Sequence, residues 1–269
     1  MTPRQRIQRI VKWLQQYSRS ANMSTFVVGI SGGIDSSVVS ALCAQSGIAT
    51  IVVQMPIRQK RELDRASSVQ AGWLLERYPA TVTHISLDLT TVFSAFEKKL
   101  LPVCGQQNQS GTALGLANSR SRLRMMTLYQ IAQSHSGLVV GTGNRVEDFG
   151  VGFYTKYGDG GVDISPIGDC LKTHVWAMGQ ELGLPQMIID APPTDGLWDD
   201  GRTDEDQLGM TYPELERAMS NDLLENADVY GLLESAFSPE ERQQMTHYRA
   251  LRRRNMHKMQ PVPVCTFDK

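Results

Sequence analysis

The residues best suited to chemistry lie between a predicted strand and a predicted helix near the start of the chain. They are Gly29, Ile30, Ser31, Gly32, Gly33, Ile34, Asp35 and Ser36. Small residues at such a turn let the backbone approach a phosphate, while the first amides of the helix point toward it. The turn lacks the Gly-Lys-[Ser/Thr] sequence of a Walker P-loop, and with it the usual phosphate-binding lysine. The Asp35 carboxylate would repel a polyphosphate unless a divalent cation lay between them, so we predict a magnesium-dependent phosphate site.

A lone pair of glycines would be explained equally well by a tight turn in which Asp35 and Ser36 cap the helix. The longer string Ser-Gly-Gly-x-Asp-Ser is more specific. It resembles the pyrophosphate-binding loop of the N-type ATP pyrophosphatases, a group that includes NAD synthetase, GMP synthetase, asparagine synthetase and argininosuccinate synthetase. The resemblance implies cleavage of ATP between its α and β phosphates and adenylation of a substrate oxygen. The loop alone leaves the substrate open.

Strings in the second half of the chain narrow the resemblance to the NAD synthetase family. They follow one another in the order typical of that family and lie at residues 118–125, 141–147, 153–163, 171–173, 193–194 and 257–258. The resemblance covers nearly the whole chain. It implies synthesis of NAD from deamido-NAD, ATP and ammonia through an adenylate, with release of AMP and pyrophosphate.

The same resemblance implies a role for individual residues. Besides the residues of the turn, Thr142, Lys172 and Thr194 match ATP contacts, and Asp35 with Glu147 matches the magnesium ligands. The residues that match deamido-NAD contacts are Arg122, Lys156, Asp163, His257 and Lys258. Asp35, Lys156 and Lys172 are the expected catalytic residues, because lysines and metal-bound carboxylates offset charge that develops on phosphoryl oxygens.

One departure from the family pattern leaves the second metal ligand open. Nine positions separate Glu147 from Lys156, one more than is typical of the ammonia-dependent members. Asp148 is therefore an alternative that shares or replaces Glu147 as a ligand. The string Gly-Thr-Gly-Asn at 141–144 also replaces the Gly-Thr-Asp-His of those members.

Three arginines at two-residue spacing leave a substrate contact open. Arg120, Arg122 and Arg124 lie on a predicted helix, where they cannot all share one face. We favour Arg122 over Arg124. Trp198 lies in a Gly- and Asp-rich loop, where an exposed aromatic side chain could stack on a base, although we favour a structural role.

The elements that must position these residues alternate between strands and helices. Short β-rich runs are predicted at 25–30, 50–53, 82–87 and 138–141, and helices at 7–17, 36–45, 63–77, 92–100 and 114–134. This alternation predicts an α/β fold with a doubly wound parallel sheet and flanking helices on both faces, a Rossmann-like arrangement. The ligand crevice of such a sheet lies beyond the carboxyl ends of its strands, where the glycine turn falls.

Two predicted loops, 155–163 and 191–203, flank a predicted helix at 171–182. Ammonia must react as the neutral base where water is scarce, since water would hydrolyse an adenylate. We therefore expect one of these loops to close over the site.

Composition limits the class of protein and its partners. The hydrophobic share of 41% and the charged share of 20% are ordinary for a globular protein. A formal net charge of −1, without a long basic run, argues against a general nucleic-acid binder. We expect a cytoplasmic protein with no membrane segment, since the chain has neither a signal peptide nor a long apolar run. The four cysteines are too widely spaced to predict a zinc or dithiol site.

The resemblance further implies one NAD synthetase domain over residues 1–269, a homodimer, and free ammonia as the nitrogen donor, because no stretch remains for a glutaminase domain. Two rivals stay open. One is another enzyme of the same loop class, with a different acid or a tRNA as substrate. The other is a module that binds ATP without chemistry, against which Asp35, Glu147, Lys156 and Lys172 argue together.

Overall fold

The computed structural model describes residues 1–58, 61–104, 109–194, 203–227 and 237–267. Within them lies one parallel sheet of four strands in the order β3-β2-β1-β4. The strands are β1 Thr25–Ile30, β2 Ala49–Gln54, β3 Val82–Ser86 and β4 Gly137–Val139. The chain winds outward from β1 in both directions, so the predicted doubly wound α/β fold is confirmed.

Helices cover both faces of the sheet and continue beyond it. The helices that precede β4 in the chain are α1 Pro3–Ser20, α2 Ile34–Gln45, α3 Arg61–Arg77, α4 Thr90–Leu100 and α5 Gln109–Ser134. The helices that follow β4 are a π-helix Arg145–Val151, α6 Lys172–Leu182, α7 Gln186–Ile189, α8 Asp204–Leu208, α9 Tyr212–Ala227 and α10 Pro239–Met259. None of these helices is both long and apolar enough to cross a membrane, among the residues described above.

Alternation along β1 divides the core into two layers. Phe26 and Val28 are fully buried in a cluster with residues of α1, α2, α3 and α6. Val27, which points to the other face, is buried with Phe93 of α4 and Ala132 of α5. Successive side chains of a strand point to opposite faces, so an unbroken apolar strand of this kind belongs in the middle of a three-layer structure.

A third apolar cluster lies away from the sheet. It joins the π-helix to α8, α9 and α10 through buried side chains that include Val146, Val151, Tyr212, Leu215 and Tyr248. The π-helix belongs to this C-terminal cluster and is also the first helix after β4. The cluster can therefore support residues at the carboxyl ends of the strands.

The predicted elements correspond to the observed ones, with differences at their ends. Helix α1 begins at Pro3 rather than residue 7, because Thr2 and Gln5 form a capping box that apolar spacing does not reveal. Strand β4 ends at Val139 rather than residue 141, and Val140 forms only an isolated bridge with Ile164. The π-helix and helices α7, α8, α9 and α10 were not predicted.

Candidate active site

A cavity of about 400 Å³ opens at the carboxyl ends of β1 and β4. These neighbouring strands are the ones from which the chain leaves in opposite directions, which is where a doubly wound sheet forms its ligand crevice. The turn after β1 and the segment 140–143 after β4 line two sides of the cavity. Much of the remaining lining comes from α5 and the segment 153–162. Residues of the π-helix, the start of α6 and the segment 191–194 also line the cavity.

The turn after β1 is held by hydrogen bonds of its own side chains. The Ser36 hydroxyl accepts from the Ser31 amide at 3.2 Å, and the Ser31 hydroxyl accepts from the Gly33 amide at 3.2 Å. The two hydroxyls lie 3.0 Å apart. The turn, which lines the cavity, is therefore held in an arrangement set mostly by residues of the motif itself.

Gln70 on α3 completes this arrangement from outside the motif. Its side chain is buried, and its Oε1 accepts from the Gly32 amide at 2.9 Å and from the Ser36 hydroxyl at 3.3 Å. Its Nε2 donates to the Ser40 hydroxyl at 3.1 Å. Gln70 was not identified from the sequence, since nothing in the spacing of α3 distinguishes it from an ordinary buried polar residue.

Glycine is required at position 32 on two counts. Gly32 has φ +81°, a left-handed conformation that is costly for a residue with a Cβ. A Cβ there would also lie within 2.6 Å of backbone and side-chain atoms of Ala66 and Ser67. The close approach of α3 to the turn therefore depends on this residue.

The charged centre of the cavity is a lysine between two carboxylates. Lys172 is the first residue of α6 and is only 2% exposed. Its Nζ lies 2.5 Å from Asp35 Oδ2 and 2.9 Å from Glu147 Oε1. The two residues predicted as magnesium ligands thus share one buried ammonium group, although they are 112 positions apart in the chain (147 − 35).

The pKa values of this group follow from burial and mutual charge. Burial alone would lower the pKa of Lys172, but Asp35 and Glu147 outweigh it, so the pKa is raised and the lysine stays charged. Burial raises the pKa of Asp35 in spite of Lys172. Burial would also raise the pKa of Glu147, but Lys172 and the Tyr212 hydroxyl outweigh it and hold that pKa below its usual value. Of the two carboxylates, Glu147 therefore keeps its negative charge to the lower pH.

Asn144 connects the elements that carry the two carboxylates. This fully buried residue precedes the π-helix, and its Oδ1 accepts from the amides of Val146 and Glu147 at 3.0 and 3.2 Å. Its Nδ2 donates to Asp35 Oδ1 at 3.1 Å. One amide side chain therefore caps the π-helix and orients Asp35. The sequence motif contained Asn144, but no role had been assigned to it.

The π-helix brings two successive acidic residues, Glu147 and Asp148, to the cavity. Its wide turn closes with a bond from the Gly152 amide to the Glu147 carbonyl. Such a turn holds one residue more than an α-helical turn, which can accommodate the additional residue between Glu147 and Lys156. The Asp148 carboxylate lies within 2.3 Å of the place that a Cβ at Gly143 would occupy, so a side chain at position 143 would require the carboxylate to move.

Tyr212, at the start of α9, supports the charged centre from behind. It is fully buried, and its hydroxyl donates to Glu147 Oε1 at 2.5 Å. The hydroxyl also lies 3.3 Å from Asp204 Oδ2, and the ring centroid lies 4.7 Å from Lys172 Nζ. The sequence carried no signal for Tyr212, since a buried tyrosine on a helix is usually a core residue.

All of the residues predicted to bind ATP or metal meet at this cavity. The eight residues of the turn line it, together with Thr142, Glu147, Lys172 and Thr194. Lys258, which was predicted to contact deamido-NAD, lines it as well. The Nζ of Lys258 donates to the carbonyls of Gly152 and Tyr154 at 2.9 Å each, and burial lowers the pKa of this lysine.

Four residues predicted to contact deamido-NAD do not line the cavity: Arg122, Lys156, Asp163 and His257. Lys156 Nζ donates to the His257 carbonyl at 2.8 Å, and Arg122 Nε donates to the Lys156 carbonyl at 3.2 Å. These three residues thus bind one another beside the cavity. The Asp163 carboxylate accepts from the Val139 amide and the Tyr129 hydroxyl, which ties β4 to α5.

The three arginines of α5 point to different surroundings, as their spacing predicted. Arg124 rather than Arg122 lines the cavity, and its Nε donates to the Met55 carbonyl at 3.1 Å. The Arg120 guanidinium lies 5.3 Å from the centre of the Phe93 ring. The preference for Arg122 over Arg124 concerned a contact with deamido-NAD, and it stays a prediction. Trp198 lies outside the described residues.

Comparison with known proteins agrees with this arrangement. The sequence model of the family described as NAD synthase matches residues 6–262. The chain is 38% identical over 213 residues to the NH3-dependent NAD+ synthetase of Carboxydothermus hydrogenoformans, covering 79% of this chain and 83% of the relative. It is 32% identical over 260 residues to the enzyme of the same name from Methanosarcina acetivorans, covering 95% and 96%.

The fold is also similar to that of a solved structure over nearly the whole chain. A solved structure of NMN synthetase from Francisella tularensis superposes with a TM-score of 0.81 at 28% identity, covering 99% of this chain and 100% of that one. Sequence and structure thus match over nearly the whole chain, with the turn, the π-helix and α6 inside the matched range. The chain belongs to the NAD synthase family.

Proposed function

We propose that the chain is an ammonia-dependent ligase that converts deamido-NAD to NAD with ATP, through an adenylate. The observation that carries the proposal is the Lys172 ammonium between Asp35 and Glu147, at the edge of a cavity bordered by the glycine turn. The turn binds the β and γ phosphates through its amides and hydroxyls. Thr142 and Thr194, which also line the cavity, make further ATP contacts.

The residues present fit a magnesium ion. Magnesium is usually held by one or two carboxylates together with substrate phosphates and water, rather than by a full protein cage. Asp35 and Glu147 supply two such carboxylates, and no group of three His, Cys, Asp or Glu side chains suited to a metal occurs within the described ranges. When bound, magnesium would offset negative charge on the phosphates. Asp148, which also lines the cavity, is the alternative second ligand.

Charge around the cavity supports the need for a cation. Among the described residues, five acidic side chains line it, whereas only three basic ones do: Asp35, Glu147, Asp148, Asp159 and Asp204 against Arg124, Lys172 and Lys258. A polyphosphate would add to this excess of negative charge. ATP therefore enters with a divalent cation.

The protein's own residues activate the acid by position and electrostatics. The carboxylate of deamido-NAD attacks the α phosphorus, the bond to the β phosphate breaks, and pyrophosphate leaves. Lys172 offsets charge on the phosphoryl oxygens, since a fixed cation in a site shielded from water stabilises developing charge strongly. Ammonia then attacks the acyl carbon, AMP leaves, and a proton is released as the amide forms.

The deamido-NAD contacts Arg122, Lys156, Asp163 and His257 remain part of the proposal, although they lie beside the cavity. Arg122, Lys156 and His257 are joined to it through Lys258, which lines the cavity next to His257 in the chain, and Asp163 follows the lining residue Val162. Closure of the 155–163 segment over the site is also proposed. Residues 195–202 of the other predicted loop lie outside the described residues.

Pyrophosphate exchange tests the adenylation step. Labelled pyrophosphate should enter ATP when deamido-NAD and magnesium are present and ammonia is absent. Asp35→Ala should abolish the exchange, whereas Asp169→Asn, at an exposed position away from the cavity, should not change it. Exchange that does not require an acid, or none at all, would contradict the proposal.

A second acceptor is the mononucleotide of nicotinic acid. The similarity to the NMN synthetase of Francisella tularensis, with a TM-score of 0.81, favours testing it. The sequence relatives named NAD synthetases, up to 38% identical, favour deamido-NAD. Competition between the two acids for the wild-type enzyme gives a ratio of kcat/KM values, which we expect to favour deamido-NAD.

We also propose a homodimer and a cytoplasmic location. Two large side chains that are more than half exposed, Met126 and Tyr157, lie around Arg122 and suit an interface between two copies. None of the four cysteines is in a disulfide, which is consistent with a reducing compartment. Light scattering measures the mass of the particle, and a monomer at micromolar concentration would contradict the dimer.

A further inference from the structure

Tyr212 is the point at which the C-terminal cluster touches the charged centre. Its ring packs edge-on against Trp176 of α6, with centroids 5.9 Å apart. Its backbone amide donates to the Glu205 carboxylate at 3.0 Å, which fixes the start of α9 relative to α8. Contacts with α6 and α8 therefore hold Tyr212 in place, in addition to the bond from its hydroxyl to Glu147.

We propose that Tyr212 is a positioning residue for the reaction, which holds Lys172 and Glu147 in place through its ring and hydroxyl. The inference rests on the proposed function. Tyr212 does not itself line the cavity. It acts on two residues that do.

The hydroxyl determines where the Glu147 carboxylate points. Glu147 Oε1 accepts from both Tyr212 and Lys172, which leaves Oε2 with no bond to either and available to the cavity. A carboxylate held by two donors keeps one orientation, whereas a carboxylate held by one can rotate. A ligand that holds its orientation binds a cation without a further ordering cost.

The ring determines where the Lys172 ammonium lies. A cation above an aromatic face is stabilised most strongly when it is desolvated, so the ring stabilises the charge without competing for its donors. The three N–H groups of Lys172 remain for Asp35, Glu147 and one further acceptor. A phosphoryl oxygen in the cavity is such an acceptor.

A matched pair of substitutions tests this role. Tyr212→Phe removes only the hydroxyl and keeps the ring over Lys172. Tyr248→Phe is the control, because Tyr248 is buried in the same cluster and its hydroxyl pairs with Arg252, away from the cavity. Both variants should unfold at similar temperatures, since each loses one buried hydroxyl.

The first readout needs no turnover. Calorimetry with α,β-methylene-ATP at increasing magnesium concentration measures how strongly binding depends on the cation. For Tyr212→Phe we expect the magnesium concentration at half-maximal binding to rise about tenfold, the effect of one hydrogen bond to a charged group. Tyr248→Phe should match the wild type within about twofold. Equal magnesium dependence of the two variants would overturn the proposal.

The second readout is the rate of amide formation. We expect kcat of Tyr212→Phe to fall about 10- to 100-fold, while KM for deamido-NAD changes less than about threefold. Replacement of Tyr212 by 4-aminophenylalanine keeps a donor toward Glu147, so it should restore most of the loss. If Tyr212→Phe does not fold, 4-fluorophenylalanine, which fills the position but has no donor, takes its place, and a wild-type kcat with wild-type magnesium dependence in that variant would overturn the role.

The two readouts separate this inference from the proposed function. If the wild-type chain formed no NAD but Tyr212→Phe alone weakened the magnesium-dependent binding, the role of Tyr212 would stand and the proposed function would fail. If the wild type formed NAD and both variants kept its kcat and its magnesium dependence, the reverse would hold.

Discussion

The glycine turn and the charged centre face the same cavity but are built in different ways. The turn is held largely by bonds among Ser31, Gly33 and Ser36, which lie within six residues of one another. The charged centre joins Asp35, Glu147, Lys172 and Tyr212, each from a different element. A site built from residues that are close together in the chain can be recognised as a sequence motif. A site built from several elements of the fold depends on every element that contributes to it.

The largest effect should come from removing the cation of the charged centre. Lys172→Met leaves Asp35 and Glu147 buried together without a positive partner, so we expect the free energy of unfolding to fall by about 3–5 kcal/mol. The rate of amide formation should fall at least about 100-fold, because a fixed charge at the reacting phosphate is lost. Denaturant unfolding and an NAD assay measure the two effects.

The surface pair Arg145–Asp169 provides the control for that substitution. Asp169 is 95% exposed, and its carboxylate lies 3.1 Å from Arg145 Nη1. Asp169→Asn should change the free energy of unfolding by less than about 1 kcal/mol. If Lys172→Met cost no more than Asp169→Asn, the buried group would not be the ion cluster described above.

The next effect tests the turn through its close approach to α3. Gly32→Ala introduces a Cβ against the backbone of Ala66 and Ser67, at a residue with φ +81°. Gly47→Ala is the matched control, because Gly47 has φ +78° but no atom within 4 Å of the added Cβ. Both substitutions carry the left-handed strain of about 1–3 kcal/mol, and only Gly32→Ala adds about 1–3 kcal/mol of overpacking.

Equal loss of stability in the two glycine variants would mean that α3 does not press on the turn. A larger loss in Gly32→Ala should come with weaker ATP binding, because Ser31 and Ser36 would be displaced with it.

The smallest predicted effect is the change in stability when Asp148 is replaced. Burial, and then the nearby charges of Glu147, Asp159 and Asp35, raise the pKa of Asp148 well above its usual value. The folded state therefore holds this proton more tightly than the unfolded state does, and the contribution of Asp148 to stability falls as pH rises above about 4.

Asp148→Asn should therefore be more stable than the wild type at neutral pH, and the difference should vanish below about pH 4, where the unfolded state is protonated too. Unfolding curves at several pH values measure this. A stability gain that persisted at pH 3 would contradict the assigned cause.

The sequence allowed the fold and one half of the site to be predicted. Alternating apolar strands and helices determine the sheet because a buried parallel strand needs helices on both faces. The turn was recognisable because its residue types act locally. Asp35, Glu147 and Lys172 were each identified through the family resemblance, but their meeting at one ammonium group was not.

The remaining residues escaped prediction for physical reasons. Tyr212 and Gln70 have side chains that fit any core or buried polar position, and their roles depend on which elements pack together. The π-helix follows from an extra residue whose accommodation cannot be read from apolar spacing. Helical spacing shows that Arg122 and Arg124 face different ways, but not which of them faces the cavity.

Transfer of oxygen from the acid to AMP tests the central claim most directly. Deamido-NAD labelled with 18O in its carboxylate is converted with ATP, magnesium and ammonium chloride, and the AMP is analysed by mass spectrometry. The account predicts one 18O in each AMP formed, because the attacking carboxylate oxygen stays on the α phosphorus when ammonia displaces AMP. Unlabelled AMP, or ADP as the nucleotide product, would contradict activation through an adenylate at this site.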